Sequence, residues 1–202
     1  MQQMLLAGGL QNPTATYIDG ATGVDSAVLP AHAIGDLIVC FAFRDGSATP
    51  PTIPAAFTDL RSSGSGAVSQ ATAYRVATVT NTASGTWTNA SAVVFVIYRN
   101  ATLGSGFADQ GGVDSPVIYS PLTPSIPNGS SLILGFAGHA AGDTSLQTPP
   151  TGMVNRQTVA HASDEAAAHE SSAGRYAWPS TNVAVGGSAG GWISNVVELK
   201  SV

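Results

Sequence analysis

The segment Gly35-Asp36-Leu37-Ile38-Val39-Cys40-Phe41-Ala42-Phe43-Arg44 decides the fold, because a similar segment occurs again later in the chain. The second copy is Ser131-Leu132-Ile133-Leu134-Gly135-Phe136-Ala137-Gly138-His139, and a Pro-Pro pair follows each copy. The offset is 95 residues between Leu37 and Leu132, and 99 residues between Pro50 and Pro149. This period is much longer than that of a solenoid repeat. The repetition therefore predicts two similar halves that share one core.

Each half ends in a comparable way, with a tryptophan turn and a closing apolar run. The turns contain Trp87 and Trp178, and the runs are Ala92–Tyr98 and Gly191–Leu199. We interpret residues 13–202 as one domain with pseudo-repeat halves at about 35–99 and 131–199. Residues 1–12 are interpreted as an amino-terminal arm. No shift in composition marks a boundary between domains.

Glycine and proline divide the chain at intervals that are too short for ordinary helices, and the runs between them are rich in β-branched and aromatic residues. We predict strands at Thr14–Ile18, Asp36–Arg44, Phe57–Arg61, Thr72–Val79, Ala92–Tyr98, Val117–Tyr119, Leu132–Gly138, Val154–Thr158, Glu165–Glu170, Asn182–Val185 and Trp192–Leu199. The pattern predicts an all-β fold, a single antiparallel, jelly-roll-like β-sandwich. Residues 160–172 have good helix propensity, but their alignment with residues 71–75 favours a strand. The glycine-rich segments 64–66, 104–106 and 186–187 are predicted to be loops.

The composition limits the possible partners. Only 9% of the 202 residues are charged, against about 25% in an ordinary domain. Either neighbouring chains cover much of the surface, or the source simply uses few charges. The net charge is −5 and the basic residues are scattered, so we expect no nucleic-acid partner. No apolar run is long enough to span a bilayer, and the first ten residues do not resemble a secretory signal.

Three polar residues are the strongest candidates for a metal site. His161, Glu165 and His169 are spaced four residues apart, and imidazole and carboxylate groups are suitable ligands. In a strand, residues four apart are separated by about 13 Å, which is too far to share one ion. Chance polar spacing on a solvent-exposed face is the alternative that we favour. The single cysteine, Cys40, lies in an apolar run and is predicted to be buried and inert.

Catalytic motifs are not convincing. Residues 186–190 match the pattern G-x-S-x-G, but a nucleophile elbow needs a helix after the serine, and here a strand-like run follows. The chain has no phosphate-binding glycine loop, and its only lysine is Lys200. His32, His139 and the aspartates form no acid–base pair that the sequence can place together. We therefore predict a protein that is not an enzyme, with no catalytic, cofactor-binding or metal-binding residues.

Several aromatic residues are candidates for sugar-stacking platforms. They are Trp87, Trp178, Trp192, Tyr98, Tyr119 and Tyr176. Because Trp87 and Trp178 occupy equivalent places in the two halves, core packing is the favoured interpretation. If a glycan site exists, we expect it near Trp178 and the segment 109–114.

The first ten residues predict an interface. Gly8-Gly9 can act as a hinge, and a short apolar arm can add to a neighbour's sheet or fill its groove. The predicted interface residues are Met1, Met4, Leu5, Leu6 and Leu10. The alternative is a first strand that packs on its own core.

Strand and turn motifs give the chain a family resemblance. The motifs are Ala73-Tyr74-Arg75-Val76-Ala77-Thr78, Trp87-Thr88 and Val93-Val94-Phe95-Val96-Ile97-Tyr98-Arg99, together with the segment 35–39, Pro50-Pro51, Phe57-Thr58 and Pro149-Pro150-Thr151-Gly152-Met153. Over residues 35–199 the chain resembles small β-sandwich structural proteins of tailed bacteriophages and prophages. In the commoner pattern Tyr-Arg-Gly-Val stands where this chain has Asn100-Ala101 after Arg99. The resemblance implies a virion component and transfers no catalytic residue.

Three hypotheses follow. The leading one is a non-enzymatic virion protein, on the head surface as a decoration or on the tail as an accessory. It would form a homo-oligomer and assemble with other virion proteins, after synthesis in the host cytoplasm without export. The second is a carbohydrate- or receptor-binding module at a fibre tip. The third, a hydrolase, needs two carboxylates across a cleft, and the twelve acidic residues offer no convincing pair.

Overall fold

The computed structural model describes residues 15–113, 116–141, 145–183 and 190–202. These residues form strands and one single-turn 3₁₀ helix, Ser145–Gln147. The strands are β1 (Thr16–Gly23), β2 (Leu37–Arg44), β3 (Thr58–Ser65), β4 (Val68–Val76), β5 (Ala92–Arg99), β6 (Ala101–Gly112), β7 (Val117–Tyr119), β8 (Leu132–His139), β9 (Met153–His161), β10 (Asp164–Ser171), β11 (Thr181–Val183) and β12 (Trp192–Ser201).

The strands form two five-stranded antiparallel sheets that pack face to face. The first sheet has the order β1-β5-β2-β4-β3, and the second has the order β6-β12-β8-β10-β9. A small ribbon of β7 and β11 covers the outer face of the second sheet. The predicted all-β antiparallel sandwich is confirmed. The segment with helix propensity forms β10, so the choice of a strand there is also confirmed.

The two sheets have the same connectivity. When β6, β8, β9, β10 and β12 are matched to β1 through β5 in chain order, the two strand orders are identical. Each half of the chain builds its own sheet, whereas the chain of a jelly roll crosses repeatedly between sheets, so that finer description does not fit. The rings of Phe41 and Phe136 stack between the sheets, with centroids 5.6 Å apart and planes 3° apart. These residues have the 95-residue offset of Leu37 and Leu132. Contact between equivalent residues is the mark of a two-fold relation, here a pseudo-two-fold axis along the strands.

The turns before β3 and β9 correct the sequence alignment of the prolines. In both turns a proline carbonyl accepts a hydrogen bond from the residue three positions later, from Phe57 to Pro54 and from Met153 to Pro150, each at 2.9 Å. Pro54 is therefore the counterpart of Pro150. The offset of 99 residues came from pairing Pro50 with Pro149, which serve different places in the two loops.

Three apolar layers bury both faces of each sheet. The central layer lies between the sheets and contains the Phe41–Phe136 pair. The second layer covers the outer face of the first sheet and contains Trp87, and the third covers the outer face of the second sheet and contains Trp178. This double cover explains why β2 and β5 are almost continuously apolar, since strands buried on both faces lose the alternating pattern.

The loop predicted at 64–66 is only partly correct, because Gly64 and Ser65 belong to β3 and the turn is at 66–67, and the loop predicted at 104–106 is wrong. Gly104 and Gly106 lie inside β6, a strand that the sequence analysis missed. A Cβ at position 104 would stand 2.0 Å from the carboxylate of Glu198, so the glycine leaves room for that buried side chain. Glu198 accepts hydrogen bonds from the backbone of Gly106 and Ser125 and from the hydroxyl of Ser131. The glycines mark a close approach within a strand and not a flexible connection.

Each of the four edge strands carries a bulge where it pairs with its neighbour. The extra residues are Ile18 in β1, Leu60 in β3 and Arg156 in β9, and β6 bulges between Leu103 and Phe107. The pairings among the central strands are continuous. Bulges at edges oppose pairing with further strands, because they twist the free edge and interrupt its hydrogen-bonding pattern.

Candidate functional site

The predicted interface residues Met1, Met4, Leu5, Leu6 and Leu10 lie outside the described residues. The described chain begins at Ala15, whose N–H donates a hydrogen bond to Ser201 Oγ at 3.2 Å. Strands β1, β2, β3, β6, β8 and β9 begin at this end of the sandwich, and β4, β5, β10 and β12 finish there. We call it the entry end.

A pocket of about 340 Å³ opens beside Ala15 at the entry end. Its lining residues come from the position before β1, from β8, and from the end of β10 with the turn that follows: Ala15, Leu132, Glu170, Ser171, Ser172, Ala173 and Gly174. Glu170 is the only charged residue in this lining, and the residue is 4% exposed. This pocket is therefore the place where a buried charge and the start of the described chain meet.

The Glu170 carboxylate is held by two partners. The Tyr98 hydroxyl donates to Oε2 at 2.5 Å, and the Arg156 guanidinium donates to both oxygens at 3.1 and 2.7 Å. Arg156 is the bulged residue of β9, and it also lies over the ring of Tyr17 at 4.5 Å. Burial and the adjacent Glu170 raise the pKa of Tyr98 well above its usual range, so its phenol stays neutral. The arrangement joins β5, β9 and β10 and leaves no activated nucleophile.

Glu165 and His169 hold the 3₁₀ helix against the second sheet. Glu165 Oε2 accepts the N–H of Leu146 at 3.1 Å, and His169 Nε2 is 2.8 Å from the Leu146 carbonyl. Because a carbonyl only accepts, Nε2 carries the proton and Nδ1 accepts the Tyr119 hydroxyl at 2.8 Å. Burial lowers the pKa of His169 to about 4, although the Leu146 carbonyl opposes this shift. Glu165 and His169 are both fully buried, so the predicted solvent-exposed face is wrong for them, and the two residues serve one structural clamp.

The metal hypothesis does not gain support from this geometry. His161 is exposed at the end of β9, while Glu165 and His169 lie on β10 and are engaged with Leu146 and Tyr119. Across the part of the chain that the structure describes, no group of three or more His, Cys, Asp or Glu residues is arranged to hold a metal ion.

Five of the six aromatic candidates are core residues, as favoured from the sequence for Trp87 and Trp178, whereas Tyr176 is exposed. Trp87, Trp178 and Trp192 are at most 3% exposed, and Trp87 packs edge-on against Phe57 and Phe95. Trp178 therefore presents no free face to a sugar. Asp109 lies within β6 and is paired with Arg61 at 3.0 Å, so the segment chosen for a glycan site is largely sheet.

Other sequence candidates are placed as follows. Cys40 is fully buried, and burial raises the pKa of its thiol well above the usual value, so its predicted burial is confirmed. Most of the G-x-S-x-G segment, residues 186–189, lies outside the described residues. Within residues 15–113, 116–141, 145–183 and 190–202, no helix is long and apolar enough to cross a membrane.

Few charges reach the surface. Among the described residues, five charged side chains are exposed, namely Asp19, Asp25, Asp59, Arg61 and Arg99. Five acidic side chains are buried, namely Asp36, Asp164, Glu165, Glu170 and Glu198. The other seven described charged side chains are partly exposed, and the buried Asp36 makes a bidentate contact with the exposed Arg99.

Exposed apolar side chains concentrate at the entry end. Of the exposed large apolar residues, six lie in the strand ends and loops there: Ile34, Val76, Val79, Ile126, Tyr176 and Val202. A groove of about 290 Å³ runs among some of them, lined by Ala56, Arg75, Val76, Ala77, Thr78, Val79 and Asn81. We call it the β4 groove. Sequence reasoning missed it, because β4 was predicted to continue to Val79 and ends instead at Val76.

The comparisons with known proteins gave no match: no family model, no curated protein and no solved structure is detectably similar to this chain. The class that the fold and surface define is a two-sheet antiparallel sandwich with a weakly charged exterior and an apolar entry end.

Proposed function

We propose that this protein is a non-enzymatic structural component of the virion of a tailed bacteriophage. It would act on the head surface as a decoration protein, or on the tail as an accessory protein. The proposal is supported by the resemblance of residues 35–199 to phage structural proteins and by the low charge and apolar entry end of the described surface. Docking, and not chemistry, is the activity that such a surface supports.

The observation that carries the proposal is the distribution of charged and apolar side chains. Buried groups that could do chemistry, such as Glu170 and His169, are occupied by contacts that join strands or hold a loop. The exterior is poor in charge and has an apolar end, and apolar patches on soluble proteins commonly mark interaction sites. The bulges in the edge strands oppose pairing with further strands, so they favour contact through loops and strand ends.

The proposal is tested on purified phage particles from a host that carries this gene. Protein identification by mass spectrometry on gradient-purified virions is expected to detect the chain at a stoichiometry fixed from one preparation to the next. A host-protein control establishes the level of contamination. If intact virions lack the chain, or contain it only at the contamination level, the proposal is wrong.

A carbohydrate- or receptor-binding module would require residues other than those selected from the sequence. Trp178 is in the core, and the only described aromatic residue with a largely exposed ring is Tyr176. A glycan array probed with the wild-type protein and with Tyr176→Ala would reveal such a role as retention that the substitution removes. No described contact favours this function over assembly.

A further inference from the structure

We propose that the β4 groove binds the amino-terminal segment of a second copy of this chain. The inference rests on the proposed function, since it names the surface and the partner through which the protein would assemble.

The groove is suited to apolar side chains. Val76 and Val79 line it and are 52% and 53% exposed, and Ile34 beside it is 70% exposed. Ile34 lies next to the groove because the N–H of Gly35 donates to the carbonyl of Ala77. The guanidinium carbon of Arg75 lies over the ring of Phe57, 4.8 Å from its centroid, which keeps the charge against the body of the sheet. An occupant of this groove would bury the aliphatic side chains of Val76 and Val79 beside the polar groups of Arg75, Thr78 and Asn81.

The residues before Ala15 have matching chemistry. Residues 1–14 contain no charged side chain and contribute Met1, Met4, Leu5, Leu6 and Leu10. They join the described chain at the entry end, the same end that carries the groove. Fourteen residues can span about 45 Å when extended, more than the roughly 27 Å length of an eight-residue strand. The segment is therefore long enough to leave its own sandwich and cross the end of a neighbour.

Two features favour a second copy over the chain's own segment. Ala15 lies against the pocket beside β10 in the second sheet, whereas the groove follows β4 in the first sheet. If the entry ends of two copies face each other, they also cover Ile126 and Tyr176, which lie on the side of the second sheet. A segment folded into the groove of its own chain would leave these two side chains exposed. The bulged edges concern the mode of binding. They oppose extension of either sheet by a further strand, so the segment docks through its side chains.

The first experiment measures self-association of the full chain by sedimentation velocity over about 1–100 µM. The wild type is expected to form dimers or larger oligomers. Deletion of residues 1–12, Val76→Asp and Val79→Asp should each weaken association at least tenfold. Val113→Asp is the matched control, because Val113 is 60% exposed at the opposite end of the sandwich. Circular dichroism and thermal melting confirm that each variant remains folded.

A second experiment identifies the occupant. One copy carries Leu5→Cys, a tagged second copy carries Val79→Cys, and the mixture is treated with a mild oxidant. A mixed disulfide dimer is expected, with none when Val113→Cys replaces Val79→Cys. A single chain carrying both Leu5→Cys and Val79→Cys reports the alternative, in which the link forms within one molecule.

Several results would overturn the inference: a wild type that stays monomeric, a groove variant that associates as the wild type does, or a cross-link that forms only within one chain. A monomeric protein that is nevertheless found in virions would refute this inference and leave the proposed function standing. An oligomer that is absent from virions would do the reverse.

Discussion

Shortening one ring of the Phe41–Phe136 pair tests the arrangement of the two sheets. Both side chains are completely buried, and their stacked rings join the middle strands of the two sheets. Replacing either ring with leucine keeps an apolar side chain of similar volume, so each of Phe41→Leu and Phe136→Leu should cost about 1–1.5 kcal/mol of unfolding free energy. Because the two positions are equivalent about the pseudo-two-fold axis, the two costs should agree within about 0.5 kcal/mol.

The double variant measures the contact itself. An aromatic pair contributes about 0.5–1.5 kcal/mol beyond the burial of its area, so the two costs should fail to add by about 1 kcal/mol. Urea titration followed by the fluorescence of the buried tryptophans gives each free energy. Phe107→Leu is the control, because Phe107 is only partly buried on β6 and should show no coupling to Phe136. Additive costs for Phe41 and Phe136, or costs that differ several-fold, would refute face-to-face packing at a two-fold position.

Three further outcomes are expected. His169 has a folded-state pKa of about 4, below the usual 6.5, so the unfolded chain binds more protons between these values. The free energy of unfolding should therefore be at its full value above pH 6.5 and fall by about 3 kcal/mol towards pH 4. Urea titrations at several pH values measure this dependence, and His169→Asn should flatten it. Gly104→Ala should lower the free energy of unfolding by about 1–3 kcal/mol, because the new Cβ would collide with the Glu198 carboxylate. Ser105→Ala, at the exposed neighbouring position, should change it by less than about 0.5 kcal/mol. Equal melting temperatures for the two variants would contradict this account. The Cys40 thiol should remain unreactive towards a thiol reagent in the native protein and react fully in denaturant, and rapid labelling under native conditions would show that β2 is not buried.

The sequence was sufficient for the sheets because their central strands repeat. Leu37 and Leu132 begin equivalent strands, and apolar runs bounded by glycine and proline have few other folded forms. Trp87 and Trp178 likewise cover equivalent outer faces, which supports the inference from their repetition that they pack in the core. Apolar periodicity and internal repetition in a sequence predict which residues are buried, because burial selects apolar side chains at those positions.

The parts that the sequence did not predict depend on contacts between distant residues. The glycine at 104 has the same local signal in a loop as in a strand that approaches Glu198, and only the tertiary contact distinguishes them. The end of β4 is similar, since Val76 and Val79 have the propensity of strand residues, and their exposure follows from where the neighbouring strand β2 begins. The clamp of Glu165 and His169 on Leu146 joins segments about twenty residues apart, which spacing within β10 alone does not reveal.

The hydrogen bond between Ala15 and Ser201 places the beginning and the end of the described fold side by side. The only connection between the two sheets runs through Asn100, at the same end. A circular permutant opened at Asn100 and closed by a short linker would therefore exchange the order of the halves while leaving the strand pairings of both sheets intact.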